Sequence, residues 1–239
     1  MTRAPAGFDV VFLSVDEPLA DELFARLTAA LGPCKRLHGV TPMRRAYQLC
    51  GLIAATGQVL IADGDFDIDP AFPAVPVEPL GEGVSMRVWP TRNPVNGLVY
   101  GYGGLKLARA AELSGLGGPQ HAVDVLAALP GRIEFASRPA GTTRIDQSAY
   151  HAWKAGFREC AMLSRGCEYD ATTPRRAQER ITAWVGSGVG PYARWAARGA
   201  ADGVAFAATV SPGNLGAWDR INQPGWLRDR FSRTVQDQL

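Results

Sequence analysis

The 239-residue chain has only four cysteines, Cys34, Cys50, Cys160 and Cys167, and no two of them stand in a CxxC or in the paired spacing of a zinc finger. A thiolate metal module is therefore excluded, and reduced thiols in a cytoplasm are expected. No apolar core lies between Met1 and Gly7, so no secretory leader is expected. No apolar run approaches the roughly 20 residues of a membrane-spanning helix, so no membrane partner is expected either. Charge of one sign is also missing. The 25 Lys and Arg against 23 Asp and Glu leave a formal charge of +2, which argues against a general polyanion binder. No Gly-x-Gly-x-x-Gly follows the first apolar run and no Walker A motif occurs, which makes NAD, FAD and P-loop nucleotide binding poor candidates. Repeats, low-complexity tracts and linkers are absent as well.

What is present is alternation. Residues 8–15 read as a buried strand, and Asp16 and Pro18 as the cap and first turn of a helix. Leu19, Leu23, Leu27 and Leu31 give that helix one apolar face. Residues 34–40 read as a second strand, Thr41-Pro42 opens a helix running to about Thr56, and residues 58–62 form a third strand. Strand–helix–strand–helix–strand predicts a mostly parallel α/β sheet flanked by helices. The proline-rich stretch 70–83 reads as a loop, 84–89 and 133–136 as strands, and the segment between 108 and 129 as helix, glycine loop and helix. Later helices are expected over 147–164, from Thr173-Pro174 onward with Ala177, Ile181, Trp184 and Val185 inward, and over 191–208, followed by a turn at Ser211–Asn214 and a final basic segment over 218–233. The expected division is a core of residues 1–165 and a C-terminal helical extension of 166–239.

The third strand runs into Asp63-Gly64-Asp65, followed by Asp67 and Asp69, four acids at every second position. Carboxylates beyond the C-terminal end of a parallel strand lie where open α/β sheets bind ligands. Asp63 and Asp65 can share one hard cation, Mn²⁺ or Mg²⁺, with Gly64 keeping the turn slim. The plain alternative is a solvated acidic turn. A second dense stretch, 90–107, holds Arg92, Asn96, Tyr100, Tyr102, Gly103, Gly104 and Lys106. It reads either as a ligand-shaping glycine loop or as a glycine-rich hairpin with exposed tyrosines. Arg44 and Arg45, one turn into the second helix, either meet solvent and a salt bridge or pair with an anionic ligand. Asp146 stands where a helix cap belongs, and Glu159 lies on the same helix beside Arg158. Arg175, Arg176 and Arg180 form a basic helix face, either solvated or set against a nucleic-acid backbone.

The Asp-Gly-Asp turn after an apolar strand resembles the DxD motif of GT-A glycosyltransferases. With Val11-Phe-Leu-Ser-Val-Asp-Glu-Pro18, Arg36-Leu-His-Gly-Val40, Arg92-Asn-Pro-Val-Asn-Gly-Leu-Val-Tyr-Gly101, Gly103-Gly-Leu-Lys106, the block 155–159 and the block 195–203, the chain resembles phage-encoded, GT-A-like glycosyltransferases. The resemblance implies a Rossmann-like GT-A fold and a metal-dependent transfer from a nucleotide-sugar, a UDP-sugar as first choice, to an acceptor hydroxyl. Some such phage enzymes glycosylate hydroxymethylated bases in DNA, which suggests that acceptor and a bacterial host cytoplasm as the location. Asp63 and Asp65 would hold the metal. Ser14, Asp16, Glu17, Arg44, Arg45, Asp63, Gly64, Asp65, Asn96, Gly103, Gly104 and Lys106 would surround the donor. Asp146 or Glu159 would serve as the base of an inverting enzyme. The chain departs from the pattern at Asp146, where an amide is expected before the helix, and that puts the assignment of the base in doubt. A nucleotidyltransferase of related fold is one alternative, although Ser-Val-Asp-Glu-Pro stands where its Gly- and Arg-bearing loop belongs. The other is a non-catalytic DNA-binding or virion module.

Overall fold

A computed structural model describes residues 4–116, 124–166, 173–186 and 188–236, the side chain of Tyr102 excepted. The chain runs β1 (Asp9–Ser14), α1 (Ala20–Leu31), β2 (Lys35–His38), α2 (Met43–Ile53), β3 (Gln58–Asp63), β4 (Phe66–Ile68), β5 (Val84–Arg92), β6 (Val99–Arg109), α3 (Ala110–Ser114), β7 (Arg132–Phe135) and β8 (Gly141–Thr143). Helices α4 (Ala149–Arg165), α5 (Pro174–Val185), α6 (Ala193–Thr209), α7 (Leu215–Asp219) and α8 (Pro224–Gln236) follow. By its internal contacts the chain divides into two compact units. One holds the described residues within 1–92, 99–116 and 125–144, and the other holds 93–98, 124 and those from 145 on. The division falls before α4, not after it as the sequence suggests.

In the first unit the strands run in the order β2-β1-β3-β6-β5-β8-β4, with β7 beside β5. β1 is parallel to both β2 and β3. The expected mostly parallel sheet is a mixed one, because β6 is antiparallel to β3 and β5, and β4 is antiparallel to β8. The reason lies in the connection. The six residues Asn93–Leu98 between β5 and β6 suffice for a hairpin, whereas a parallel return needs a dozen or more. The stretch read as a glycine loop is thus largely strand β6, and Tyr100 is buried within it.

The apolar runs of β1 and β3 are covered on both faces. Val10, Phe12, Leu60 and Ala62 point to a cluster with Leu23, Leu27 and Leu31 of α1. Val11, Leu13, Val59 and Ile61 point the other way, to Ala46, Tyr47 and Cys50 of α2. The period of two along each strand sends alternate residues to opposite faces, and so α1 and α2 lie on opposite sides of the sheet. Helix α1 begins at Ala20, with no side-chain cap. Asp16 is not its cap, because residues 15–19 form a separate turn held by the Glu17 carboxylate, which accepts the N–H groups of Val15 at 2.7 Å and Asp16 at 3.2 Å.

In the second unit α4 and α6 pack backbone to backbone. A Cβ on Gly199 would lie 2.0 Å from the Trp153 carbonyl oxygen, one on Gly156 2.2 Å from that of Ala196, and one on Gly203 2.2 Å from that of Phe157. The Trp153 indole N–H donates to Asp202 at 2.9 Å, and Thr234 of α8 donates to the same carboxylate oxygen. Val95, from the hairpin tip, sits in a cluster with Ile145, Trp184 and Ala196. Thr173 caps α5 as expected, and Ala177, Ile181 and Trp184 face inward, but Val185 is exposed at the helix end.

Candidate active site

β1 lies between β2 and β3. The crossover through α1 goes to one side of β1, and the return through α2 goes to the other. Such a reversal opens a crevice beyond the carboxyl ends of the two diverging strands, the usual ligand position in an open α/β sheet. Here the crevice is bordered by Ser14 and the 15–19 turn after β1, by Asp63-Gly64-Asp65 at the end of β3, and by Gly103 and Gly104 midway along β6. Gly64 is confined by this arrangement. A Cβ on it would stand 2.6 Å from Glu17 Oε2 and 2.8 Å from Ser14 Cβ, so the two loops close on each other only because residue 64 has no side chain.

Asp63 ends β3 on the same face as Ile61, the face covered by α2. Lys106 lies opposite Ile61 in the β3–β6 register, on that face too. Its ammonium therefore meets the Asp63 carboxylate, 2.7 Å from each oxygen. The Gly104 N–H donates to Asp63 Oδ2 at 2.9 Å. Gly103 and Gly104 have φ of 138° and 85°, a region in which glycine alone is comfortable, and this bend is what turns the Gly104 N–H onto Asp63. The Lys106 side chain is 3% exposed and that of Asp63 30%. Burial alone would lower the Lys106 pKa, but the adjacent carboxylate more than offsets it, and the ammonium is held well above its ordinary value. The Tyr47 ring stands 5.7 Å from the ammonium, and burial pushes the phenol pKa up.

Asp63, Asp67 and Asp69 do not converge. Asp63 faces Lys106, Asp67 accepts from Arg26 at 2.9 Å, and Asp69 accepts the Ala71 N–H at 2.8 Å in a tight turn. The Asp65 carbonyl accepts the Arg144 N–H at 2.6 Å as the chain turns into β4. Alternation on a strand separates side chains that look adjacent in the sequence. Among the described residues no group of three or more His, Cys, Asp or Glu side chains is placed to hold a metal ion. Asp63, expected as a metal ligand, has both carboxylate oxygens on the buried Lys106 ammonium.

The other expected donor-site residues divide. Ser14 is buried, its Oγ 2.9 Å from His38 Nδ1, so it ties β1 to β2. Arg44 donates its Nε–H to the Leu116 carbonyl, and Arg45 donates to Gln48 on the same helix. Asn96 belongs to the hairpin tip, in the second unit, and accepts the Leu98 N–H at 3.1 Å. Asp146 is also in the second unit, but the cap of α4 is Ser148, which accepts the His151 N–H. Glu159 is 5% exposed, on the packed side of α4. Arg175 pairs with Glu179 at 2.9 Å, Arg176 is exposed on the same helix and Arg180 is half-buried. The expected basic face is thus partly neutralised by its own helix.

Beside the crevice, at the ends of β1 and β2, a recess of about 470 Å³ is lined by Glu17, Pro18, Ala20, Asp21, Arg36 and His38. Arg36 pairs with Asp21 at 2.7 Å and stacks over Phe24. The pairing of Arg36 with Asp21 has no local signal in the sequence, because it joins β2 to the first turn of α1. A second recess, of about 860 Å³, lies at the β4–β8 edge and is lined by residues that include Arg26, Asp67, Arg92 and Thr142. Compared with protein families, curated proteins and solved structures, the chain matches none: no family model, no curated protein and no solved structure aligns with it.

Proposed function

We propose that this chain is a glycosyltransferase that binds a nucleotide-sugar in the crevice between the ends of β1 and β3. The observation that carries the reading is the reversal of strand order at β1, with the Asp63-Gly64-Asp65 turn and the Glu17 turn closing on each other around Gly64. The resemblance of the sequence to GT-A glycosyltransferases, which order their first elements in this way and set an acidic turn after the third strand, supports the same reading. The recess beside Glu17, Arg36 and His38 suits a nucleoside in size, since small-molecule sites measure roughly 300–1,000 Å³. It offers hydrogen-bond donors and acceptors together, as a base and ribose require.

In this reading an acceptor hydroxyl displaces the nucleoside diphosphate from the anomeric carbon of the donor sugar. The site must bear the negative charge that develops on the departing diphosphate. The acceptor is a hydroxyl group. A hydroxymethylated base in phage DNA is suggested by the resemblance alone.

The test is thermal unfolding against a panel of nucleoside diphosphates and nucleotide-sugars, UDP-sugars first, followed by an assay for diphosphate release. A ligand present at a hundred times its dissociation constant stabilises by about 2.7 kcal/mol, enough to be seen. One preferred nucleotide family with sugar-dependent release is expected. No shift with any member of the panel would sink the proposal.

A further inference from the structure

Arg92 of β5 lies opposite Thr142 of β8, and Thr142 lies opposite Asp67 of β4. The three residues therefore form one row across three strands, on the face opposite to Thr91, Thr143 and Phe66. In the inner row the Thr91 and Thr143 hydroxyls are buried and satisfy each other at 2.7 Å. The outer row lines the recess of about 860 Å³ at the β4–β8 edge. Asp67 there accepts from Arg26 on both oxygens, at 3.2 and 2.9 Å. The Arg92 side chain is exposed and Thr142 is half-buried, and among the described residues neither the guanidinium nor the hydroxyl has a hydrogen-bonding or ionic partner. We propose that this recess is a second ligand site, which takes the oxyanion head of a small organic acid or phosphate ester on Arg92 and Thr142 and lays an apolar body against its proline walls. The proposal does not rest on the donor-site reading.

A guanidinium on a convex surface is simply solvated, whereas one in a recess has its field focused by low-dielectric walls. Its planar fork fits two oxygens of a carboxylate or phosphate at once. Thr142 is one strand spacing away, about 4.8 Å, so its hydroxyl can donate to the same head group. The Asp67 carboxylate on the next strand would repel an anion, but Arg26 neutralises it and Arg144 Nη1 stands 3.8 Å from it. Asp69 lies past the end of β4, two strands across from Arg92 and further along, where its carboxylate accepts the Ala71 N–H of its own turn at 2.8 Å. The charge left over at the Arg92 end of the row is therefore positive. Ile68, Pro70, Pro73 and Pro139 supply apolar surface. The prolines have no N–H, so this wall gives a ligand body contact without donors. The volume is far larger than an inorganic ion fills and lies in the range of small-molecule sites, roughly 300–1,000 Å³.

The experiment is titration of the isotope-labelled full chain with phenyl phosphate, benzoate and benzyl alcohol, followed by the backbone amides in nuclear magnetic resonance. Wild type is compared with Arg92→Met, which removes the exposed charge, and with Thr142→Val, which keeps the side-chain shape and removes the hydroxyl. Circular dichroism checks folding of both. The expected result is binding of at least one of the two anions in wild type, with an affinity at least tenfold lower in Arg92→Met and about threefold lower in Thr142→Val, and at least tenfold weaker binding of benzyl alcohol. The tighter of the two anions then tells a phosphate ester from a carboxylic acid. An anion affinity unchanged in both variants would put the anion elsewhere on the chain and overturn the proposal. Benzyl alcohol bound as tightly as the anions would overturn it too, since the recess would then take no charge. No binding of any probe at millimolar concentration would remove the site, and the donor-site reading would stand untouched.

Discussion

Gly199 and Trp153 stand so close that a single methyl group on the glycine would fall 2.0 Å from the tryptophan carbonyl oxygen. In an isolated helix Gly→Ala is stabilising by about 1 kcal/mol. Here the sign reverses. Gly199→Ala must push α6 away from α4, and overpacking of this kind costs typically 1–3 kcal/mol, more against an immobile backbone. A lower urea midpoint with unchanged slope is the expected result. Gly216→Ala in α7, where the new methyl meets nothing within 4 Å, is the control and should be neutral or mildly stabilising.

Asp202 joins three elements' worth of donors: Trp153, Thr234 and, through its other oxygen, Arg198. Asp202→Ala leaves the fully buried indole N–H without its acceptor. A stranded buried donor costs about 1–3 kcal/mol, and the loss should appear in thermal and chemical unfolding alike. Asp202→Asn, which keeps one acceptor oxygen, should lose less.

Acid should loosen the first unit at Asp9. Burial would raise this carboxyl's pKa, but the N–H of Ala55, the Lys35 ammonium and the N–H of Thr56 outweigh burial and hold it below the ordinary value of 3.8. A depressed folded pKa contributes stability that is present above 3.8 and is lost as pH falls through the folded value. Stability curves measured from pH 5 to pH 2 should show this slope, and Asp9→Asn should flatten it while lowering stability at pH 7.

Two thiols should stay unreactive. Burial pushes the Cys50 pKa up to about 12 and raises that of Cys160 as well. The thiolate is the reactive form, so alkylation at pH 8 followed by peptide mass spectrometry should leave both unlabelled in the native protein and label both after denaturation.

Gly64 gives a test of the crevice that is independent of charge. Gly64→Ala forces the Glu17 and Ser14 turn outward. Nucleotide affinity should fall at least tenfold, or about 1.4 kcal/mol, with a far smaller change in the affinity for any ligand held at the β4–β8 edge. Equal nucleotide affinity in the variant would remove this turn from the binding site.

The sequence made the first three strands and two helices legible because their signals are local: apolar runs of strand length and leucines four apart. It also marked the Asp63 turn and the stretch containing Lys106 as chemically dense. What it hid was their pairing. Lys106 and Asp63 are 43 residues apart and meet only because β6 returns antiparallel beside β3 with Lys106 opposite Ile61. The DxD spacing suggested two carboxylates on one ion, yet a buried ammonium from a distant strand takes the first of them. The short strands β4 and β8 were missed because three residues carry no period. Asp146 was read as a cap since it precedes an apolar helix, but Ser148 has the hydroxyl at the right offset for the His151 N–H.

The grouping of the hairpin tip with the later helices limits how this protein can be taken apart. Val95 occupies a place beside Trp184 and Ala196, and its carbonyl accepts the Val189 N–H at 2.8 Å. A fragment that begins at Ile145 therefore arrives with a hole in its core and an orphaned amide. Recombination by one crossover at that junction would join a helical half to a stranger's hairpin. The helices can pass to another chain only if six residues from the middle of a β-hairpin travel with them, which makes the two units heritable as a pair.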